Sequence, residues 1–171
     1  QEVLNARGIA YLCHFTRAEN LHSIFTYGLC SRNKLNISGI SFVYNDIYRI
    51  DGYENAVCTS IEFPNYKMFY KLQKHNPCTD WVVLAISSDV LIKYKCFFCK
   101  TNAARTEMLT TPKRELEGAI ALLKLFSNVP GKPNRNELNI PTWYPTNPQS
   151  EVLVFGEIPK DFIKCVVFNN E

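Results

Sequence analysis

Short apolar segments, six in number and none longer than seven residues, constrain the fold of this chain more than any other feature. Three segments with helical spacing lie between them in irregular order, at residues 16–27, 64–73 and 113–126. Many short strands mixed with a few helices predict an α+β domain. No apolar run approaches the roughly 18–20 residues that a membrane-spanning helix needs. The predicted strands are residues 9–15, 56–62, 81–86, 95–100, 151–156 and 164–168.

The length and composition fit one globular domain. The 171 residues can bury a core but are too few for two ordinary domains, so we expect a single domain over residues 1–171. Hydrophobic residues make up 46% and charged residues 20%, which excludes wholesale disorder. Residues 1–8 lack the pattern of a signal peptide. The net charge of +3 does not identify a nucleic-acid-binding protein, but it is compatible with one that uses a local basic face.

The seven cysteines are an odd number, and several lie inside apolar segments. This distribution favours free buried thiols in a reducing cytoplasm over a disulfide framework. One zinc-like pair of spacings exists, His75 with Cys78 and Cys96 with Cys99. Cys96 and Cys99 lie in a predicted strand, where their side chains would point to opposite faces. We therefore expect no metal, and a zinc-stabilised binding module is the alternative.

The helix predicted from Pro64 carries Lys67, Lys71 and Lys74 on one face, together with several aromatic side chains. One interpretation is a solvated lysine face above an aromatic core contact. The other is a face that contacts phosphates while nucleic-acid bases stack on the aromatic rings. The helix alone does not distinguish the two.

His14 is predicted to end the first strand, immediately before a helix. Thr16 and Glu19 have the spacing of a capping box, and Gly28 marks the predicted helix end. A strand end beside a helix N-terminus directs backbone N–H groups at whatever binds there. We therefore expect His14 to lie at a binding site.

Three polar elements occur along the chain in the order that ADP-ribosyltransferases use. His14 comes first, Thr59 and Ser60 lie in a middle strand, and Gln149 and Glu151 follow a long proline-rich loop. A carboxylate at the start of an apolar strand is, on its own, usually a solvated edge residue. Taken together, the three elements resemble an ADP-ribosyltransferase site.

Longer strings sharpen this resemblance. Residues 11–16 (Tyr-Leu-Cys-His-Phe-Thr), residues 28–35 (Gly-Leu-Cys-Ser-Arg-Asn-Lys-Leu) and residues 144–154 (Tyr-Pro-Thr-Asn-Pro-Gln-Ser-Glu-Val-Leu-Val) are similar to segments of the DarT family of DNA ADP-ribosyltransferase toxins. The strings at 81–84 and 102–104 fall between them in the expected order. The resemblance extends over nearly the whole chain.

The resemblance implies a fold and an activity. The fold would be that of the ADP-ribosyltransferases, two packed antiparallel sheets with peripheral helices. The enzyme would cleave NAD, its co-substrate, and transfer ADP-ribose to a base of single-stranded DNA. The family implies a bacterial cytoplasmic toxin of a toxin–antitoxin or phage-defence system, paired with an antitoxin protein that removes the modification. Neither a metal nor a membrane is implied.

The resemblance also implies functional residues. Glu151 would be catalytic, hydrogen-bonded to the ribose 2′-hydroxyl where it stabilises developing positive charge. Arg49 would give electrostatic help from a loop at residues 34–52 that covers NAD. NAD-binding residues would be His14, Phe15, Thr16, Asn20, Ser31, Met68 and Tyr70. DNA-binding residues would be Lys67, Lys71, Tyr144 and Gln149, the last two in a recognition loop at residues 106–150 that leads to Glu151.

The acceptor remains open between guanine and thymine. The strand at residues 57–64 and the pair Asn102–Ala103 depart from the pattern that we associate with the thymidine-modifying branch. Guanine is therefore slightly preferred. Gln149 offers one donor and one acceptor, which suits a nucleobase or an asparagine side chain better than arginine. Protein and RNA acceptors are the remaining alternatives.

Overall fold

The computed structural model describes residues 1–45 and 48–168. The strands are β1 (Tyr11–Arg17), β2 (Leu29–Cys30), β3 (Ala56–Ile61), β4 (Trp81–Ser87), β5 (Cys96–Cys99), β6 (Glu151–Phe155), β7 (Glu157–Ile158) and β8 (Ile163–Phe168). The α-helices are α1 (Glu2–Arg7), α2 (Leu21–Tyr27), α3 (Arg32–Ile37), α4 (Tyr66–His75), α5 (Val90–Lys93), α6 (Thr106–Thr110) and α7 (Gly118–Lys124).

Six strands form an antiparallel sheet in the order β5-β6-β3-β1-β4-β8, and β2 pairs with β7 in a small second sheet. The two central strands pair only at Leu12 with Ile61 and at Cys13 with Ser60. Both strands continue for four more residues without pairing to each other. The large sheet therefore consists of two halves joined at β1 and β3, and a cleft opens where these strands stop pairing.

The core lies on both faces of the sheet because strand side chains alternate. In β6, Val152 and Val154 belong to the larger apolar cluster, whereas Leu153 belongs to a smaller one. The neighbouring β5 behaves in the same way, since Phe98 joins the larger cluster and Phe97 the smaller one. Burial on both faces explains why these strands are apolar throughout.

The predicted end of the first strand is wrong. The strand β1 extends to Arg17 because it pairs with β4 at every residue, from Tyr11 opposite Ser87 to Arg17 opposite Trp81. His14 is therefore in the middle of a strand. Thr16 is a strand residue as well, so the predicted capping box does not form, and a short 3-10 turn at residues 18–20 precedes α2.

Other boundaries also differ from the prediction. The helix predicted at residues 113–126 is divided at Gly118, whose φ of 79° is incompatible with a continuous helix. The helix α4 begins at Tyr66, with Asn65 as its cap. The sequence patterns did not predict α1, α6 or the small β2–β7 sheet. Residues 128–149 form the predicted long loop. Among the described residues there is no helix long and apolar enough to span a membrane.

Gly28 connects α2 to β2 at a point where a side chain would collide with the backbone. Its φ is 86°, and an added Cβ would lie 2.8 Å from the carbonyl oxygen of Ile158. We expect Gly28→Ala to destabilise the protein by about 2 kcal/mol, roughly 4–8 °C in Tm for a chain of this length. Gly39→Ala is the matched control, because Gly39 has a φ of 62° but no atom within 4 Å of the added Cβ. Equal losses in thermal melts of the two variants would show that the collision does not matter.

Candidate active site

The cleft between the two halves of the sheet contains a cavity of about 380 Å³. Its walls come from β1, β3, the start of β6 and residues 42–45 and 49–51. His14, Thr59, Ser60 and Glu151 all line it. Because β6 neighbours β3 and β3 neighbours β1, the sheet brings together three elements that lie far apart in the sequence.

Glu151 is a buried carboxylate at the start of β6. Its Oε1 accepts a hydrogen bond from Asn102 Nδ2 at 2.8 Å, and its Oε2 accepts one from the backbone N–H of Ala103 at 2.9 Å. The pKa of Glu151 is raised to about 7, chiefly by burial and in addition by the negative charge of Asp51. The two donors and the charge of Arg49 act in the opposite direction. The carboxyl group is thus fixed in orientation and titrates near neutrality.

His14 has a neutral imidazole ring, and its hydrogen-bond partner shows which ring nitrogen carries the proton. Burial lowers its pKa. The ring nitrogen Nδ1 lies 2.8 Å from the carbonyl oxygen of Cys58, which can only accept, so Nδ1 carries the proton and donates. The other nitrogen, Nε2, is consequently an acceptor in the neutral ring. His14 can therefore accept a hydrogen bond from a hydroxyl group in the cavity.

Asn20 binds the segment that lines the cavity opposite the sheet strands, residues 42–45 and 49–51, here called the covering segment. Its Nδ2 donates to Thr16 Oγ1 at 2.9 Å and to the carbonyl oxygen of Val43 at 2.7 Å. Its Oδ1 accepts from the backbone N–H of Val43 at 2.8 Å. Asn20 and Thr16 both line the cavity and are both buried. The structure thus gives Asn20 a role in holding the covering segment against β1.

Arg49 reaches the cavity from that covering segment, with a φ of 41°. Its Nε donates to Asp51 Oδ1 at 3.1 Å and its Nη1 to the sulfur of Cys58 at 3.1 Å, while Nη2 donates to the carbonyl oxygen of Tyr53. The Arg49–Asp51 ion pair is buried, with side-chain exposures of 9% and 7%. These contacts fix the guanidinium beside the cavity as a positive charge that favours the ionised form of Glu151.

The remaining candidate NAD-binding residues are divided between the cavity and its surroundings. Phe15 lines the cavity and stacks on Phe69 with ring centroids 4.8 Å apart, and Met68 also lines it. Ser31 does not line it; its hydroxyl caps α3 by accepting from the N–H of Lys34. Tyr70 is 66% exposed on α4, outside the residues that line the cavity.

The candidate DNA-binding residues lie outside the cavity. Lys67 and Lys71 are exposed on α4. Gln149 lines a neighbouring polar groove of about 580 Å³, next to the segment that carries Asn102 and Ala103. Tyr144 packs against Phe63 with centroids 5.7 Å apart.

Tyr144 belongs to a row of four neighbouring aromatic rings, here called the aromatic ridge. Phe63 lies 6.3 Å from Tyr66, and Tyr144 lies 6.2 Å from Trp143. Three of the four rings are well exposed: 42% for Trp143 and 48% for both Phe63 and Tyr66. This exposure is high for large, partly apolar side chains. Two of the rings flank Asn65, which lines the cavity, so the ridge begins beside the cleft.

Asp51, Asn65 and Asn102 were not among the predicted site residues, although all three line the cavity. Asn102 acts on Glu151, a partner 49 residues later that only the fold brings near. Asp51 pairs with Arg49, two residues before it, and both line the cavity. The string at residues 102–104 is part of the sequence resemblance. Its role depends on the pairing of β5 with β6, which places the residues after Cys99 beside Glu151.

The zinc-like spacing does not form a cluster. Cys96 belongs to the larger apolar cluster and Cys99 to the smaller one, so their side chains lie on opposite faces of the sheet, while Cys78 is exposed. Over residues 1–45 and 48–168 there is no group of three or more His, Cys, Asp or Glu residues that could hold a metal ion. None of the seven cysteines, all of which lie in the described residues, forms a disulfide.

A family model described as "ssDNA thymidine ADP-ribosyltransferase, DarT" matches residues 13–171. A search of curated proteins finds no significant match. Two solved proteins share the fold. The Thermosipho africanus DarTG structure in complex with ADP-ribose has a TM-score of 0.61 at 13% identity, covering 95% of this chain and 44% of that one. This chain therefore spans less than half the length of the Thermosipho protein.

The second is the Thermus sp. 2.9 DarT, solved in complex with ADP-ribosylated ssDNA and with carba-NAD+. These structures have TM-scores of 0.57 and 0.58 at 16% identity, and they cover 96% and 95% of this chain and 83% of the Thermus chain. The predicted family resemblance and the predicted ADP-ribosyltransferase fold are confirmed.

The pKa of Glu151 generates a direct prediction. In protein carrying 13C-labelled glutamate side chains, one carboxyl resonance should titrate with a midpoint near pH 7, and it should be absent in Glu151→Gln. Asn102→Ala should move this midpoint to higher pH, because a donor that favours the carboxylate is lost. Asp51→Asn should move it to lower pH, because a neighbouring negative charge is lost. A Glu151 midpoint close to the ordinary value of 4.5 would contradict the assigned environment.

Proposed function

We propose that this chain, which belongs to the DarT family of single-stranded DNA thymidine ADP-ribosyltransferases, uses NAD to attach ADP-ribose to a thymine base in single-stranded DNA. The observation that carries the proposal is the buried carboxylate of Glu151, oriented by Asn102 and Ala103 in the cleft between the halves of the sheet. The family match supplies the reaction class, and this geometry supplies a group that can perform it.

Glu151 would stabilise the charge that develops when NAD is cleaved. Breaking the bond between nicotinamide and ribose gives the ribose oxocarbenium character. A carboxylate hydrogen-bonded to the ribose 2′-hydroxyl stabilises this positive charge, and most strongly in a site shielded from water. The two donors hold Glu151 in place before the reaction, so little reorganisation is needed as the charge appears.

His14 and Arg49 would position the same dinucleotide. Neutral His14 presents Nε2 as an acceptor for a ribose hydroxyl, because its Nδ1–H is used by the carbonyl of Cys58. Arg49 is permanently charged and paired with Asp51, so proton abstraction from the base is not a suitable role for it. We assign it electrostatic attraction of the diphosphate.

The acceptor base is proposed to be thymine. The slight sequence-based preference for guanine rested on departures in β3 and at Asn102–Ala103. The matching family description names thymidine, and Asn102 already has a role on Glu151 that does not depend on the acceptor. We therefore adopt thymine and leave guanine as an outcome for the experiment.

The DNA strand is proposed to lie along the aromatic ridge and the adjacent lysine face of α4. Successive bases can stack on exposed aromatic rings, at about 1–3 kcal/mol per base. Lys67 and Lys71 would contact phosphates at the edge of this surface. Gln149, in the polar groove on the other side of the segment at residues 100–105, would contact the strand beyond the target base.

The biological setting follows from the family. We propose a toxin that acts in the cytoplasm of a bacterium and is countered by an antitoxin protein that removes ADP-ribose from DNA. The Thermosipho relative is itself named as a DarTG protein. Seven cysteines without a disulfide among them are compatible with a reducing compartment.

Replacing Glu151 with glutamine tests the reaction. Single-stranded oligonucleotides containing one thymine or one guanine are incubated with NAD and analysed by mass spectrometry, with RNA and protein pools in parallel. We expect addition of one ADP-ribose to the thymine oligonucleotide. Glu151→Gln should reduce the rate by about 10²–10³-fold, while NAD binding measured by calorimetry changes little.

The exposed Glu117→Gln is the control variant, since Glu117 only pairs with Lys95 on the surface. Unchanged transfer in Glu151→Gln would refute the catalytic assignment. Modification of guanine, RNA or protein in place of thymine would refute the acceptor.

The aromatic ridge is tested by Phe63→Ala, which removes the ring between Tyr66 and Tyr144. We expect KM for a thymine oligonucleotide to rise about tenfold, because one stacking surface is lost, while the affinity for NAD stays the same. Phe25→Ala is the control, because Phe25 is 45% exposed on α2 and outside the ridge. An equal effect of both substitutions on DNA affinity would exclude a specific role for the ridge.

A further inference from the structure

Asn65 has a buried hydrogen-bond donor for which the described part of the chain provides no partner. The residue is 2% exposed. Its Oδ1 accepts from the N–H of Met68 at 3.2 Å and so caps α4, but its Nδ2 makes no hydrogen bond. A donor left unpaired in the interior costs about 1–3 kcal/mol, so such groups are rare and need an explanation. Arg7 Nε and Trp81 Nε1 are also buried without a partner, but neither residue lines the cavity.

This donor belongs to a residue that lines the cavity. Asn65 and Met68 both line it, alongside Ser60 at the end of β3. Asn65 also precedes the ten-residue helix α4, whose first turn contains no acidic residue. Because Asn65 Oδ1 already accepts the N–H of Met68 in the first turn, the donor that we identify at this end of the cavity is Asn65 Nδ2.

The chemistry of the surroundings indicates a neutral acceptor. The residues that β3 and α4 contribute at this end, Ser60, Asn65 and Met68, carry no charge, whereas the arginines that line the cavity, Arg32 and Arg49, come from the segments that follow β2. A single uncharged amide suits a carbonyl oxygen better than a phosphate, which favours charged or multiple donors.

We propose that Asn65 Nδ2 binds a carbonyl oxygen of the heterocycle that occupies this end of the cleft. Two groups in the proposed reaction carry such an oxygen: the carboxamide of the nicotinamide of NAD, and the thymine base. The inference rests on the proposed function for these ligands, and it assigns Asn65 a binding contact distinct from the roles of Glu151, His14 and Arg49.

Asn65 can be changed without losing the helix cap. Asn65→Asp is isosteric and keeps an acceptor for the N–H of Met68, and Asn65→Ser also caps well, but neither places an amide donor in the cavity. We expect both variants to melt within a few degrees of the wild type and to bind one ligand about tenfold more weakly. Asn76→Ser is the control: Asn76 donates to Leu72 at the other end of α4, away from the cavity, and its binding constants should not change.

The binding constant of each ligand is measured in the absence of the other, which shows which of the two contacts Asn65. A tenfold weaker Kd for NAD with an unchanged Kd for the oligonucleotide assigns the carboxamide, and the reverse assigns thymine. Unchanged constants for both ligands in both variants would overturn the proposal.

A measurement on the wild-type protein does not depend on whether the Asn65 variants fold. The 15N resonance of the Asn65 side-chain amide should shift on addition of NAD or of a thymine oligonucleotide, and no shift with either would overturn the proposal. Failure of the proposed function would look different: wild-type protein would not transfer ADP-ribose to DNA, whereas Asn65 could still respond to NAD.

Discussion

The structure depends on the contact between β1 and β3, which pair at two positions and then separate. On its other side β1 pairs with β4 along its whole length, and β3 pairs with β6 from Ala56 to Thr59, so the sheet remains intact while its centre opens. The opening leaves backbone groups facing a cleft, and one of them, the carbonyl of Cys58, is satisfied by the side chain of His14. A histidine thus takes the place of a strand partner, and the same hydrogen bond determines which ring nitrogen faces the ligand.

The cleft holds charges that oppose folding. The pKa of Glu151 lies above its ordinary value, so the protonated form is the one that the fold favours. The stability gained by protonation is fully present below about pH 4.5 and is lost as the pH rises through about 7. At higher pH the carboxylate costs the fold about 3 kcal/mol relative to an ordinary glutamate. The proposed chemistry requires that charged form, so the burial of Glu151 serves catalysis at the expense of stability, and the donors from Asn102 and Ala103 offset part of this cost.

Local sequence patterns predicted the strands, and a resemblance predicted the site. Thr59, Ser60 and Glu151 were assigned because their order along the chain after His14 resembles an ADP-ribosyltransferase site. His14 was assigned to the site for an incorrect reason: pairing with β4, a contact between distant segments, carries β1 beyond the predicted end. The local roles of Asp51 and Asn65, an ion pair with Arg49 and the cap of α4, do not reveal a site. Asn102 meets Glu151 only when the cleft forms. Gly118 shows the same limit within a helix, because its positive φ overrides an apolar periodicity.

The small net charge of the chain bears on how it would hold DNA. Phosphate contacts give affinity that falls steeply with salt, and each needs a free cation. A net charge of +3 supports few of them, whereas the aromatic ridge offers stacking, which every base can use. Stacking is therefore a suitable source of affinity but a poor source of base selectivity. Discrimination between bases must then come from polar groups that meet the edge of the target base, and those lie in the cleft and the groove beside it, on the two sides of the segment that orients Glu151.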